Sequence, residues 1–323
     1  MPDGSAVSRH RIEGGGLVAH VMSFGATLQD LRLDGHGPPL VLGFDSFAPY
    51  LTDSSYFGAI VGRSANRTGE GRFELDGVTY QLDRNFEGRH HLHGGALGAG
   101  KRNWTVADVQ PDWITLRLDL ADGEMGYPGN MTVRCTYACL AGGVLDIKIE
   151  ATADAPTLCN FAHHSYWNLD GAPSTAAHVM QVDADRMSVV DEGFIPTGEA
   201  RDVTGSRYDF RTERPIHDEV FIDHNLCLSD ARQPLRRIGS LRSLMSGVSM
   251  EMRSTEAGLQ VYDAFKMAVE PVGLGGRRYG ANAGVALEPQ VWPDAINNEG
   301  FPTAVLHPGE TYIQHTQFAI SKG

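Results

Sequence analysis

Two adjacent histidines, His163 and His164, stand in the stretch NFAHHSYWNLDG (160–171) and are followed at once by Tyr166 and Trp167. Imidazole is the side chain whose ordinary pKa suits proton transfer near neutral pH. On an extended chain neighbouring side chains point to opposite faces, so only one of the two histidines can serve a given site. Four other stretches hold polar residues that a plain β-layer does not need. In GRSANRTGEG (62–71), Asn66 and Arg67 sit among small residues and glycines, and the planar fork of Arg67 suits a ligand hydroxyl or carboxylate. RHHLHGG (89–95) places His91 and His93 two residues apart, on one face if the segment is extended, which is a metal-ligand spacing. A cupin-type site would want a glutamate soon after, and only glycine, alanine and leucine follow from Gly94 to Gly100; this argues against a metal. FIDHNL (221–226) sets Asp223, His224 and Asn225 between apolar residues, and ALEPQVWPDAINN (286–298) carries Glu288 after an apolar run, with Trp292 nearby.

The elements that must position these residues read as strands. Period-two alternation runs through ITLRLDL (114–120), MTVRCTYAC (131–139), LDIKIEA (145–151) and VSMEMRS (248–254), the mark of half-buried strands. RFELDGVTYQL (72–82) has Asp76-Gly77 between alternating arms, which predicts a two-residue hairpin because both residues tolerate positive φ. The best helix candidate is RRIGSLRSLM (236–245), weakened by Gly239. Many short strands and 38 glycines predict an all-β fold, a large antiparallel β-sandwich. With no linker, repeat or low-complexity tract, residues 1–323 are expected to form one domain, although the length alone would suggest two.

Composition narrows the function classes. Lys plus Arg number 27 against 40 Asp plus Glu, a net charge of −13, with no basic cluster to neutralise phosphates, so nucleic acid is not an expected partner. No apolar run reaches the length of a signal h-region or a membrane span, and a cytoplasmic location is expected. Cys135, Cys139, Cys159 and Cys227 form no CxxC pair and are expected to be buried thiols.

Taken together, GRSANRTGEGRFELDGVTYQL, HLHGG, HHSYWNL, DHN and LEPQVWPDAIN resemble, in order and across residues about 58 to 298, the motifs of the aldose 1-epimerases, or galactose mutarotases. The resemblance implies a galactose mutarotase-like supersandwich. It implies His164 as general acid, Glu288 as general base, and Asn66, Arg67, His93, Tyr166, Asp223 and Gln260 as the sugar-binding set. His163 stands where the family commonly has asparagine, so no role is inherited for it. Opening a cyclic hemiacetal requires a base for the C1 hydroxyl proton and an acid for the ring oxygen, with no cofactor and no metal. A carboxylate of near-normal pKa and an imidazolium would meet that need. Trp167 and Trp292 would either wall the pocket or pack in the core.

The chain departs from the family pattern after Gln260, where QVYDAFKM supplies Asp263 and Ala264, and after Gln290, where Val291-Trp292 follows. These positions concern outer sugar contacts rather than the acid–base pair. The expected substrate is an unphosphorylated monosaccharide, because Asp223 and Glu288 face one assigned cation, Arg67, and Asp263 would line the pocket if its spacing from Gln260 places it there. Arg63, Lys101 and Arg102 are the basic residues that would overturn this expectation. A noncatalytic sugar-binding or sensory module on the same sandwich is the competing reading, and the protein is expected to act as a monomer or homodimer.

Overall fold

The computed structural model describes residue 1 and residues 4–53, 56–217 and 221–323. Two antiparallel sheets make the body. A nine-stranded sheet runs in the order Arg214–Pro215, His178–Val182, Arg236–Ser243, Val248–Ser254, Tyr312–Lys322, Val144–Ala153, Met131–Leu140, Trp113–Leu120 and Thr105–Val109. A six-stranded sheet runs Tyr166–Trp167, Val285–Gln290, Gly258–Tyr262, Asp223–Cys227, Arg186–Val190 and Pro196–Asp202. The four alternating stretches read from the sequence all lie in the larger sheet. Its strand Met131–Leu140 shows strict alternation, with Met131, Val133, Cys135, Tyr137 and Cys139 buried.

Those buried faces meet the apolar face of the smaller sheet. Ile114, Val133, Ile147 and Phe318 from one side share a single hydrophobic cluster with Leu226, Leu259, Val261, Val285 and Leu287 from the other. The result is the expected layered β architecture, with a three-stranded sheet, Arg9–Gly14, Leu17–Met22 and Thr27–Leu33, contributing to the same cluster through Ile12, Leu17, Ala19 and Leu28. The hairpin forms as expected: Arg72–Leu75 pairs with Val78–Gln81, and Asp76 and Gly77 both take positive φ, 52° and 75°. All four cysteines are buried and unbridged.

The helix expected over 236–245 is a strand, Arg236–Ser243, held between His178–Val182 and Val248–Ser254. A register shift between Arg237 and Gly239 changes the phase of the apolar residues. That bulge breaks the two-residue period that would have identified a strand.

Candidate active site

Three of the expected polar residues come from adjacent strands of the six-stranded sheet. Gln260 lies directly opposite Glu288 on one side and Asn225 on the other. Asp223 is two residues from Asn225 along the same strand, so Asp223, Gln260 and Glu288 project from one face while Leu226, Leu259, Val261 and Leu287 enter the core from the other. The Asp223 carboxylate is held at both oxygens, Oδ1 accepting from Gln260 Nε2 at 2.6 Å and Oδ2 from Arg67 Nη2 at 2.9 Å.

Two loops bring the cationic and imidazole groups over this face. Asn66 adopts φ 62° and His93 φ 52°, left-handed conformations that asparagine tolerates better than most residues. The two residues are tied reciprocally: His93 N–H donates to Asn66 O at 3.0 Å, and Asn66 N–H donates to His93 Nδ1 at 3.1 Å. His93 therefore turns Nε2 toward the cavity side of the pair as an N–H donor. Asn66 Oδ1 accepts from the backbone N–H of Arg67 at 2.8 Å, and the Arg67 guanidinium lies over the rings of Phe86 and Phe194 at 4.9 and 5.1 Å. The left-handed turn at His93 also breaks the strand geometry that would have put His91 beside it. His91 instead bonds Asp83 O at 2.7 Å and Tyr127 Oη at 2.6 Å, and takes no part in the site.

The adjacent histidines separate as the alternation argument requires. His163 packs against Tyr137 and Phe318 and bonds Ser165 Oγ at 3.0 Å, on the core side. His164 faces the cavity, where its Nε2 stands 3.6 Å from Glu288 Oε1 and its ring lies 5.1 Å from those of His93 and Tyr166. Its backbone is locked by N–H to Ala59 O and by C=O from Gly58 N–H. Neither His164 Nδ1 nor Glu288 Oε2 has a hydrogen-bond partner among the described residues.

Burial dominates the electrostatics. It pushes His164 down to about 4 and, with Asp223 adding repulsion and Arg67 opposing, holds Glu288 well above the usual carboxylate range. His93 is likewise held well below the usual range by burial, then by His164 and Arg67. The near-normal carboxylate and imidazolium expected from the sequence are therefore not the resting state. Both shifts favour the uncharged form of the pair, with one proton between two residues.

The cavity around these groups has a volume of about 420 Å³ and is lined by His93, His164, Tyr166, Asp223, Glu288 and Arg67 together with Asn66. Gln260 acts from behind, through Asp223. The sequence motifs missed the outer wall, formed by Tyr56, Phe86, Phe194, Tyr262, Phe265 and Lys266, and Glu87 at the same opening. Lys266 is thus a second cation at the cavity, where Arg67 alone was expected. Asp263 does not line it: the carboxylate accepts the backbone N–H groups of Ile222 and Phe265, each at 3.1 Å. This corrects the expectation drawn from its spacing to Gln260: three residues on, an extended chain turns the side chain to the opposite side.

Arg63 and Arg102 are engaged away from the cavity, whereas Lys101 stands near enough for its charge to act on His93. Arg63 donates to Pro128 O and Gly129 O, Arg102 pairs with Glu124, and Lys101 lies over the outer Tyr56 ring at 4.9 Å. Trp167 packs on Phe318 at 4.6 Å, and Trp292 donates Nε1–H to Ala257 O at 2.9 Å; both serve the core. His93, His164 and Glu288 offer three ligand atoms within 4.8 Å of one another.

The sequence model of the aldose 1-epimerase family matches residues 8–319. The chain is 36% identical to galactose mutarotase of Homo sapiens, over 98% of this chain and 95% of that protein. It is 31% identical to aldose 1-epimerase of Escherichia coli, over 94% and 92% respectively. Among solved structures, an aldose epimerase homologue from C. elegans superposes with a TM-score of 0.91 at 31% identity, covering 98% of this chain and 99% of that one. With the match running through both sheets and every loop of the cavity, the chain belongs to the aldose 1-epimerase family.

Proposed function

We propose that this protein is an aldose 1-epimerase that interconverts the α and β anomers of free aldoses, with Glu288 as base and His164 as acid. The observation that carries this reading is the 3.6 Å approach of His164 Nε2 to Glu288 Oε1, both buried, with His164 Nδ1 and Glu288 Oε2 unpartnered among the described residues, beside a carboxylate held by arginine. A binding module has no use for such a pair.

Ring opening moves two protons in concert. Glu288 takes the proton of the C1 hydroxyl, and His164 delivers its own to the ring oxygen O5. The cyclic sugar thus matches ionised Glu288 and protonated His164, whereas the open aldehyde matches protonated Glu288 and neutral His164. Burial favours the second arrangement, so the resting cavity is electrostatically suited to the open form. A bound cyclic sugar restores the ionic arrangement by hydrogen bonding, O1–H donating to Glu288 and O5 accepting from His164. The aldehyde then turns about C1–C2 and recloses, and both protons return. Arg67 and His93 hold O5 and its neighbouring oxygens, the Asp223 carboxylate accepts from ring hydroxyls, and Asn66, Gln260 and Tyr166 fix these groups in position. No cofactor enters any step.

Galactose and glucose are the first substrates to try, since the relatives include proteins named galactose mutarotase. Asp223 already pairs Arg67 at 2.9 Å and Glu87 stands at the same opening as Lys266, which supports a neutral sugar over a phosphorylated one. The single-domain reading of residues 1–323 is supported by a main hydrophobic cluster that spans Ile12 to Ile320. We place the enzyme in the cytoplasm, as a monomer or homodimer. Polarimetry of freshly dissolved α-galactose tests the activity: the protein should speed the approach to anomeric equilibrium well beyond the buffer rate. Binding without acceleration would sink the reading, and a tenfold preference for glucose 6-phosphate would overturn the substrate class.

A further inference from the structure

Tyr56, in the outer wall of the sugar cavity, adopts φ 65°, a left-handed conformation that a bulky aromatic residue rarely accepts. Strain of this kind persists where the surroundings enforce it, and it gathers at functional sites. The enforcing contacts here run to the residue assigned as general acid. Tyr56 O accepts the Ala59 N–H at 3.0 Å and closes a turn; on that turn Gly58 N–H donates to His164 O at 3.0 Å, and Ala59 O accepts the His164 N–H at 2.9 Å. Fastened to the backbone of His164, the turn sets the Tyr56 ring 4.8 Å from the ring of His93 and 6.0 Å from that of His164.

The phenol oxygen takes no part in holding this arrangement. Tyr56 Oη has no hydrogen-bond partner among the described residues, and it is not sealed from solvent as His164 Nδ1 and Glu288 Oε2 are. The residue is only partly buried and lines the cavity. Burial, then Asp83, pushes the hydroxyl up to about 12, so it remains a neutral donor. Neither Glu288 nor Asp223 acts on it. Tyr56 thus stands beside the two imidazoles and away from both carboxylates.

We propose that Tyr56 is a specificity residue whose hydroxyl bonds the 6-hydroxyl of an aldohexose. The assignment rests on the epimerase reading and follows from the connectivity of the sugar. Glu288 serves O1, His164 serves O5, and Asp223 accepts from ring hydroxyls. The ring oxygen has two carbon neighbours: C1, whose oxygen lies at Glu288, and C5, which carries the hydroxymethyl group. A donor beside the acid and remote from both carboxylates falls on the C5 side, where O6 is the oxygen left without a partner.

Tyr56→Phe removes the hydroxyl and keeps the ring. Polarimetric kcat/KM of parent and variant is compared for galactose, for 6-deoxygalactose, and for L-arabinose, which has the ring of galactose without C6. The substitution should lower kcat/KM for galactose by about five- to tenfold, the range of one neutral hydrogen bond, mainly through KM. Both analogues should stay within about twofold of the parent. The unfolding midpoint should not fall, because the hydroxyl has no partner within the protein. An equal loss on all three sugars, an undiminished rate on galactose, or a variant that is less stable or unfolded overturns the proposal. A parent protein that accelerates none of the three sugars would sink the epimerase reading and this assignment with it. A working parent beside an unchanged variant would sink the assignment alone.

Discussion

Along the strand Gly258–Tyr262, Leu259 and Val261 enter the main hydrophobic cluster, while Gln260 between them reaches the Asp223 carboxylate on the other face. The neighbouring strand repeats the division, with Leu287 in the core and Glu288 under the cavity. At the end of the short strand Ala162–His163, His163 and His164 divide in the same way. The two faces obey opposite rules. Core side chains gain by leaving water, and a buried Leu contributes about 1.5–3 kcal/mol. On the cavity face, burial works against charge and displaces His164 and Glu288 toward their neutral forms. A rigid apolar layer one residue away holds them there in spite of that cost.

The largest expected contrast lies within one dipeptide. His164→Asn should lower kcat by roughly 10²- to 10⁴-fold, the usual contribution of a general acid, with little change in the unfolding midpoint. His163→Asn should stay within about tenfold of the unmodified rate. The reverse order, measured by polarimetry, would mean that the faces have been assigned the wrong way round.

Truncations on the core face should do the opposite. Leu259→Ala and Leu287→Ala are each expected to cost about 2–5 kcal/mol of stability by denaturant unfolding, while the folded enzyme keeps its rate within a few-fold. A loss of activity without a loss of stability would show that the core layer does more than hold the cavity face in place.

The core-side histidine also has a pH signature. Burial pushes His163 down to about 3 in the folded protein, below its ordinary value near 6.5. Between those values the unfolded chain takes up a proton that the native protein refuses. The group therefore withdraws stability as pH falls from 6.5 toward 3, at about 1.4 kcal/mol per pH unit. His163→Asn should make the loss of stability from pH 6.5 to pH 4.5 shallower than in the parent protein. Parallel curves would show that His163 is already protonated when folded. The smallest effect is expected from a chelator: EDTA should leave kcat unchanged, and restoration of a lost rate by a divalent ion would turn His93, His164 and Glu288 into a metal set.

The legible parts of the molecule were those in which sequence spacing maps directly onto space. Alternation identified the long strands, and the left-handed Asp76-Gly77 pair announced its hairpin. Asp223, Gln260 and Glu288 were readable through the family motifs, and strand parity brings them to one face. Legibility failed where local backbone geometry departs from the regular period. The bulge before Gly239 disguised a strand as a helix, and the positive φ of His93 separated it from His91. The aromatic wall escaped notice for a different reason. Tyr56, Phe86, Phe194 and Phe265 come from separate loops, and nothing in their local sequence records that they converge.

The central claim is that a carboxylate on the polar face of the sheet moves the anomeric proton, and Glu288→Gln tests it most directly. The substitution preserves the shape of the side chain and removes its ability to act as a base. Galactose affinity by calorimetry and the unfolding midpoint should remain near those of the parent protein, while polarimetric kcat for α-galactose falls by roughly 10²- to 10⁴-fold. A kcat within tenfold of the parent, with ring opening shown to be rate-limiting, would contradict the account.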